Sequence, residues 1–352
     1  MTFTSPRVRL SVAVAVAVGA GLSLTVPATA APKHAAHEAP SIATKAPLPK
    51  GQYQTAYSER NDVLWAASAV GRPPVLQSAL VKLDPDTLEV LDTVVPPVAD
   101  PATGALEAVY GVEVDDEHNT VWVTNTRDNG VAVYHQATGE RLAFIPGVDH
   151  SREVVVDTKR NLAWISAVNA GQVVAFDTAT FEEKRRVTVE GSRPTGLALN
   201  KKNGKVYASD LQNGRVIEIL PGAGKAVKLH PAGEGAISVS LSKDGSTAYT
   251  ANQTAGTVSV IDLKSSSVKA TIPTGAGALS VRTDTVTGDL VVANRTAATV
   301  SVVDPRTGDV QDLTVEANPN HVEIVDDIAY VVDKSGANSS GGDFGYRIDL
   351  GH

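Results

Sequence analysis

One short apolar signature occurs seven times along the 352-residue chain, and its spacing constrains the fold more than any other feature. It reads Leu64-Trp65-Ala66, Val121-Trp122-Val123, Ala163-Trp164-Ile165, Val206-Tyr207-Ala208, Ala248-Tyr249-Thr250, Leu290-Val291-Val292 and Ala329-Tyr330-Val331. The central residues lie 57, 42, 43, 42, 42 and 39 positions apart. A fixed period of this size marks stacked supersecondary units, each hiding its apolar faces only between like neighbours.

Each unit continues through a polar loop into a third, alternating strand that usually ends in Asp. Examples are 79–84 (Ala79 to Asp84), Val173 to Asp177, Thr257 to Asp262 and Thr299 to Asp304. The β-branched alternation suits a pleated strand with unlike faces. The terminal Asp is read as a turn residue bonding its own backbone, because no Asp-x-Asp-x-Asp-Gly loop accompanies it. The signature aromatics lie mid-strand and are read as packing between sheets. Connections of four to six polar residues are too short for parallel crossovers, so the sheets are antiparallel. The fold class is therefore all-β: a seven-bladed β-propeller of four-stranded blades.

Ring closure is legible as well. The last unit runs through His321 to Ile324, Ala329 to Val332 and Phe344 to Asp349, and lacks a fourth strand. The segment Ser41 to Gly51 resembles the fourth-strand segment Lys269 to Gly275. The expectation is that this N-terminal strand completes the last blade and removes two open edges.

Ahead of the repeats, Arg7 and Arg9 precede the apolar run Leu10 to Leu24 and the small-x-small triplet Ala28-Thr29-Ala30. The pattern reads as a secretory signal peptide over residues 1–30, with an apolar run short for a membrane span. Residues 31–40 read as a flexible linker, with His34 and His37 solvated, and residues 41–352 as the propeller. The expected location is secreted or extracytoplasmic, with no membrane span in the mature chain. Removing the leader takes the net charge from −8 to −10. Such a surface disfavours nucleic acid. The chain has no cysteine, which excludes disulfides and thiolate metal sites.

The residues Val123-Thr124-Asn125, Thr250-Ala251-Asn252 and Val292-Ala293-Asn294, each followed by a Val-Ser-Val-Ile-Asp-like strand, carry a resemblance to the YVTN-repeat or YncE-like propellers. It covers residues 41 to 350, and units five and six match best. The resemblance implies the propeller fold and an exported or surface-associated binding protein. It assigns no catalytic residue.

In a propeller the innermost strands border a central channel. Counting back from the signatures lines up an inward ring of Gln54, Gly111, Glu153, Gly196, Ser238, Ser280 and His321. A ring two residues deeper includes Glu113, Ser240, Arg282 and Glu323. Tyr53, Tyr110, His150, Arg152, Arg193, Asn318 and Asn320 surround the mouth, and Arg127, Arg193 and Arg295 form a small basic patch on that face. The candidate ligand-binding set is His150, Arg152, Glu153, Arg193, Asn318, Asn320, His321, Glu323 and Tyr110.

No Gly-x-Ser-x-Gly elbow and no His-Glu-x-x-His motif occurs. Gly222-Ala223-Gly224-Lys225 lacks the spacing of a phosphate loop, and His118 reads as an exposed turn residue. The leading expectation is a monomeric, non-catalytic propeller that presents its channel-face loops to a small ligand, peptide or protein. It requires no cofactor. The alternative is a lactonase- or lyase-like propeller enzyme in which His and Glu hold a divalent metal in the channel.

Overall fold

Alternation and short polar turns dictate hairpins, and the computed structural model consists almost wholly of them. It describes Met1 and residues 38–351, apart from 223, 339 and 340. The expected signal peptide and most of the linker lie outside the described residues. Seven four-stranded antiparallel sheets follow in chain order. Blade one, for example, runs Gln52–Ser58, Val63–Val70, Gln77–Leu83 and Val90–Val94. Blade five runs Ala236–Leu241, Thr247–Asn252, Thr257–Asp262 and Ser267–Pro273. Each innermost strand touches the next, and that of blade seven returns to blade one.

The long first interval has a local cause. A two-stranded hairpin, Val98–Asp100 with Ala105–Leu106, is inserted between blades one and two. Among the described residues, the helical content is two 3-10 turns, Thr158–Arg160 and Ser335–Asn338. None is long and apolar enough to cross a membrane.

Closure occurs as the sequence implies. Ser41–Leu48 pairs antiparallel with Asp343–Asp349, from Ser41 opposite Asp349 to Leu48 opposite Asp343. A buried carboxylate locks the joint. Asp343 accepts the backbone N–H groups of Gly51 (2.7 Å) and Gln52 (2.9 Å) through Oδ2, and that of Gly336 (2.8 Å) through Oδ1. These bonds fasten the last blade to the start of the first.

The signature aromatics fill the spaces between blades. Trp65, Trp122 and Trp164 have no exposed surface, and Tyr207, Tyr249 and Tyr330 are buried. Trp65 of blade one packs with Val121, Val123 and Tyr134 of blade two, and Trp122 packs with Val154 and Ile165 of blade three. The strand-terminal Asp residues bind their own turns. Asp84 accepts from the backbone of Asp86 and Thr87, and Asp177 from that of Ala179 and Thr180. These bonds hold both carboxyls below their ordinary pKa.

Candidate functional site

The inward ring is first a structural belt. Its side chains bond the innermost strand of the following blade: Gln54 Oε1 accepts from Val112 N, Ser238 Oγ from Val281 N, and Ser280 Oγ from Val322 N, each at 3.3 Å. Where blades approach more closely, only glycine fits. A Cβ on Gly111 would collide with the Arg152 carbonyl, and one on Gly196 would lie 2.7 Å from Ser238 Cα.

Arg282, from blade six, crosses the channel below this belt. Its Nη2 lies 3.3 Å from Glu153 Oε1 of blade three and 3.1 Å from His321 Nε2 of blade seven, and its Nε lies 3.7 Å from Glu323 Oε2. Gln54 Nε2 donates to the other Glu153 oxygen at 2.7 Å. Burial alone would lower the guanidinium pKa, but Glu153, Glu323 and Glu113 outweigh it and hold the charged form. His321 behaves oppositely. Burial, with Arg282 and Arg152 nearby, puts its pKa well below the ordinary value of 6.5. Obligate donors face both ring nitrogens: Arg282 Nη2 stands 3.1 Å from Nε2, and the Thr55 backbone N–H points at Nδ1 from 3.2 Å, with Thr55 Oγ1 3.3 Å away.

This crossing divides the channel into two cavities. The one at the mouth has a volume of about 290 Å³, with Arg152, Glu153, His321, His150, Tyr110 and Asn320 in its wall. Tyr53 and Tyr110 meet edge to face there, with ring centroids 4.6 Å apart. Lys334 Nζ stands 3.4 Å from the Tyr53 ring centroid, and burial lowers the ammonium pKa to about 8. The cavity on the other side is about 710 Å³ and includes Glu113, Arg282, Glu323 and Lys201. Burial, together with the Glu323 charge, raises Glu113 to about pKa 8.

The chain is 26% identical to the uncharacterized protein YncE of Escherichia coli O157:H7 over 239 residues, 63% of this chain and 65% of that protein. It is 25% identical to YncE of E. coli strain K12 and 27% identical to YncE of Salmonella typhi, with the same coverage. The fold and these relatives agree on a YncE-like propeller. The chain spans less than two thirds of the length of the curated relatives it matches, 65% in each case. No family model matches it.

Three expected mouth residues do not line the mouth cavity. Glu323 opens into the opposite cavity, because two residues of depth carry it past the Arg282 crossing. Arg193 is exposed; Asp210 fixes its backbone N–H (2.8 Å), and its Nη2 points to Asn169 Oδ1 at 3.5 Å. Asn318 occupies a left-handed turn (φ 63°), and its carbonyl accepts from Lys334 N at 3.0 Å. His150 lines the cavity wall and is not among the groups that meet at Arg282. Its pKa is lowered by burial and by Arg127, Arg193 and Arg152.

Two of the three patch arginines, Arg127 and Arg295, do line the cavity, and they are joined by Arg152. Two residues outside the expected set share the register position of Arg295. Gln253, Arg295 and Lys334 each stand four residues beyond the aromatic or Val centre of a second-strand signature, where the chain leaves toward the mouth. Gln253 and Arg295 reach the cavity, and Lys334 supports it from behind Tyr53. Among the described residues, no cluster of three or more His, Asp or Glu has metal-binding geometry.

Proposed function

We propose that this chain is an exported, monomeric, non-catalytic binding propeller that receives a small ligand, or a projecting peptide, in the mouth cavity of its channel. One observation carries the reading: the Arg282 crossing turns an open channel into a blind pocket walled by aromatic, apolar and polar groups. Preformed concavity with a few convergent polar groups is the usual form of a small-molecule site.

The alternative of a His/Glu metal centre is disfavoured by the same residue. His321 and Glu153 both engage a guanidinium, so a dication there would compete with a fixed positive charge. Metal analysis of purified protein tests it. A stoichiometric metal lost in His321→Ala would restore the enzyme reading.

The binding reading is tested by a thermal-shift screen of small molecules against wild type and Ser280→Trp, which fills the pocket. Stabilisation in wild type that disappears in Ser280→Trp is the expected result. A hit profile unchanged by the substitution would overturn it. N-terminal sequencing of exported protein is expected to begin at Ala31, and light scattering to give the monomer mass.

A further inference from the structure

The mouth cavity has an unbalanced charge. Three guanidinium groups line it, Arg127, Arg152 and Arg295. Among the described residues, none of the three has a carboxylate within ion-pair distance. Glu153, the acid in the wall, is already engaged by Arg282 and Gln54. Arg295 donates to Asn320 Oδ1 at 2.8 Å, which aligns its fork without neutralising it. Arg152 feels the imbalance directly: burial lowers its pKa, and Arg295 lowers it further against the pull of Glu153. Like charges gathered in a small, partly desolvated space repel, and among the described residues no carboxylate forms an ion pair with any of the three.

We infer that the mouth cavity binds a small organic oxyanion, a carboxylate or a phosphate monoester, with its charged group among Arg127, Arg152 and Arg295 and an apolar body against the wall. Guanidinium forks match both anions, through paired charge-assisted hydrogen bonds. Tyr53, Tyr110, Ile237 and Leu279 supply the apolar surface. The volume of about 290 Å³ suits a ligand of a few hundred daltons or less. This inference rests on the mouth-pocket reading and gives that pocket its ligand class.

Calorimetric titration of the full chain with phenylacetate, phenyl phosphate, inorganic phosphate and the neutral phenylacetamide tests it and separates the two anion sources. Phenylacetate or phenyl phosphate is expected to bind at least about tenfold more tightly than phenylacetamide, as charge-assisted bonds require. Whichever of the two binds more tightly identifies the headgroup, and inorganic phosphate reports that headgroup without the apolar body. Arg152→Gln is expected to weaken anion binding about tenfold, and Arg127→Gln, at an exposed position, does the same without risk to the core. Equal binding of phenylacetamide and phenylacetate, both lost in Ser280→Trp, would sink the anion assignment and keep the pocket. Anion binding that survives Ser280→Trp and both arginine variants would sink the pocket as its site. Absence of binding by all four probes would also overturn the anion assignment, and the thermal-shift screen would then decide the pocket alone.

Discussion

Arg282 Nη2 lies 3.1 Å from His321 Nε2, so a fixed cation is hydrogen-bonded to an imidazole that must stay neutral. The pair joins blades six and seven, and the same guanidinium continues to Glu153 on blade three. Substituting Arg282→Ala would leave the buried Glu153 carboxylate with Gln54 as its remaining partner. The expected loss is about 3–5 kcal/mol, as for breaking other buried pairs. Urea unfolding measures it, and a loss under about 1 kcal/mol would mean that water replaces the guanidinium freely.

His321 makes stability depend on acid. Its folded pKa lies well below the unfolded value of 6.5, so the unfolded chain takes up the proton first. The contribution is complete above pH 6.5 and is lost as pH falls toward the folded pKa. Wild type is expected to lose about 1–2 kcal/mol more than His321→Gln between pH 6.5 and 5. Parallel melting curves for the two proteins over that range would refute the burial argument.

Glu113 predicts the opposite slope. Its folded pKa of about 8 lies above the ordinary 4.5, so the folded chain holds the proton that the unfolded chain releases. Stability from this group is complete below pH 4.5 and is lost as pH rises through 8. Glu113→Gln, which keeps the neutral shape, is expected to melt a few degrees above wild type at pH 8.5 and with it at pH 4.5. An equal offset at both pH values would point to a packing effect.

The closing strand gives two further tests. Deleting residues 41–48 exposes the Asp343–Asp349 edge and is expected to cost more than about 4 kcal/mol. Asp343→Ala leaves the N–H groups of Gly51, Gln52 and Gly336 without their acceptor and is expected to cost about 3–5 kcal/mol. Thermal denaturation measures both, and unchanged midpoints would mean that the joint does not bear on folding.

The blade count, strand pairing and closure are legible in the sequence because they follow from periods that backbone geometry enforces. Trp122 recurs as Trp164 and Tyr207 since each fills the same gap between sheets. The ring from Gln54 to His321 is legible for the same reason. The side-chain geometry is not. Arg282 belongs to the deeper ring in any count, yet its length lets it reach blades three and seven, and no spacing rule carries that reach. Asn318 misled because a left-handed turn redirects it, and unit seven has a shortened hairpin. Lys334 was hidden by the same irregularity, although its register matches Arg295.

The pairing of Ser41–Leu48 with Asp343–Asp349 also dictates an order of events. The strand that leaves the ribosome ahead of every blade has its partner in the one made last, roughly 300 residues later. Until then the nascent chain carries an orphan β-segment and an unfinished sheet, both able to pair with the wrong neighbour. Successful maturation therefore depends on keeping that early segment unoccupied while the rest is synthesised. A premature stop at any point before Asp343 would leave it without a mate.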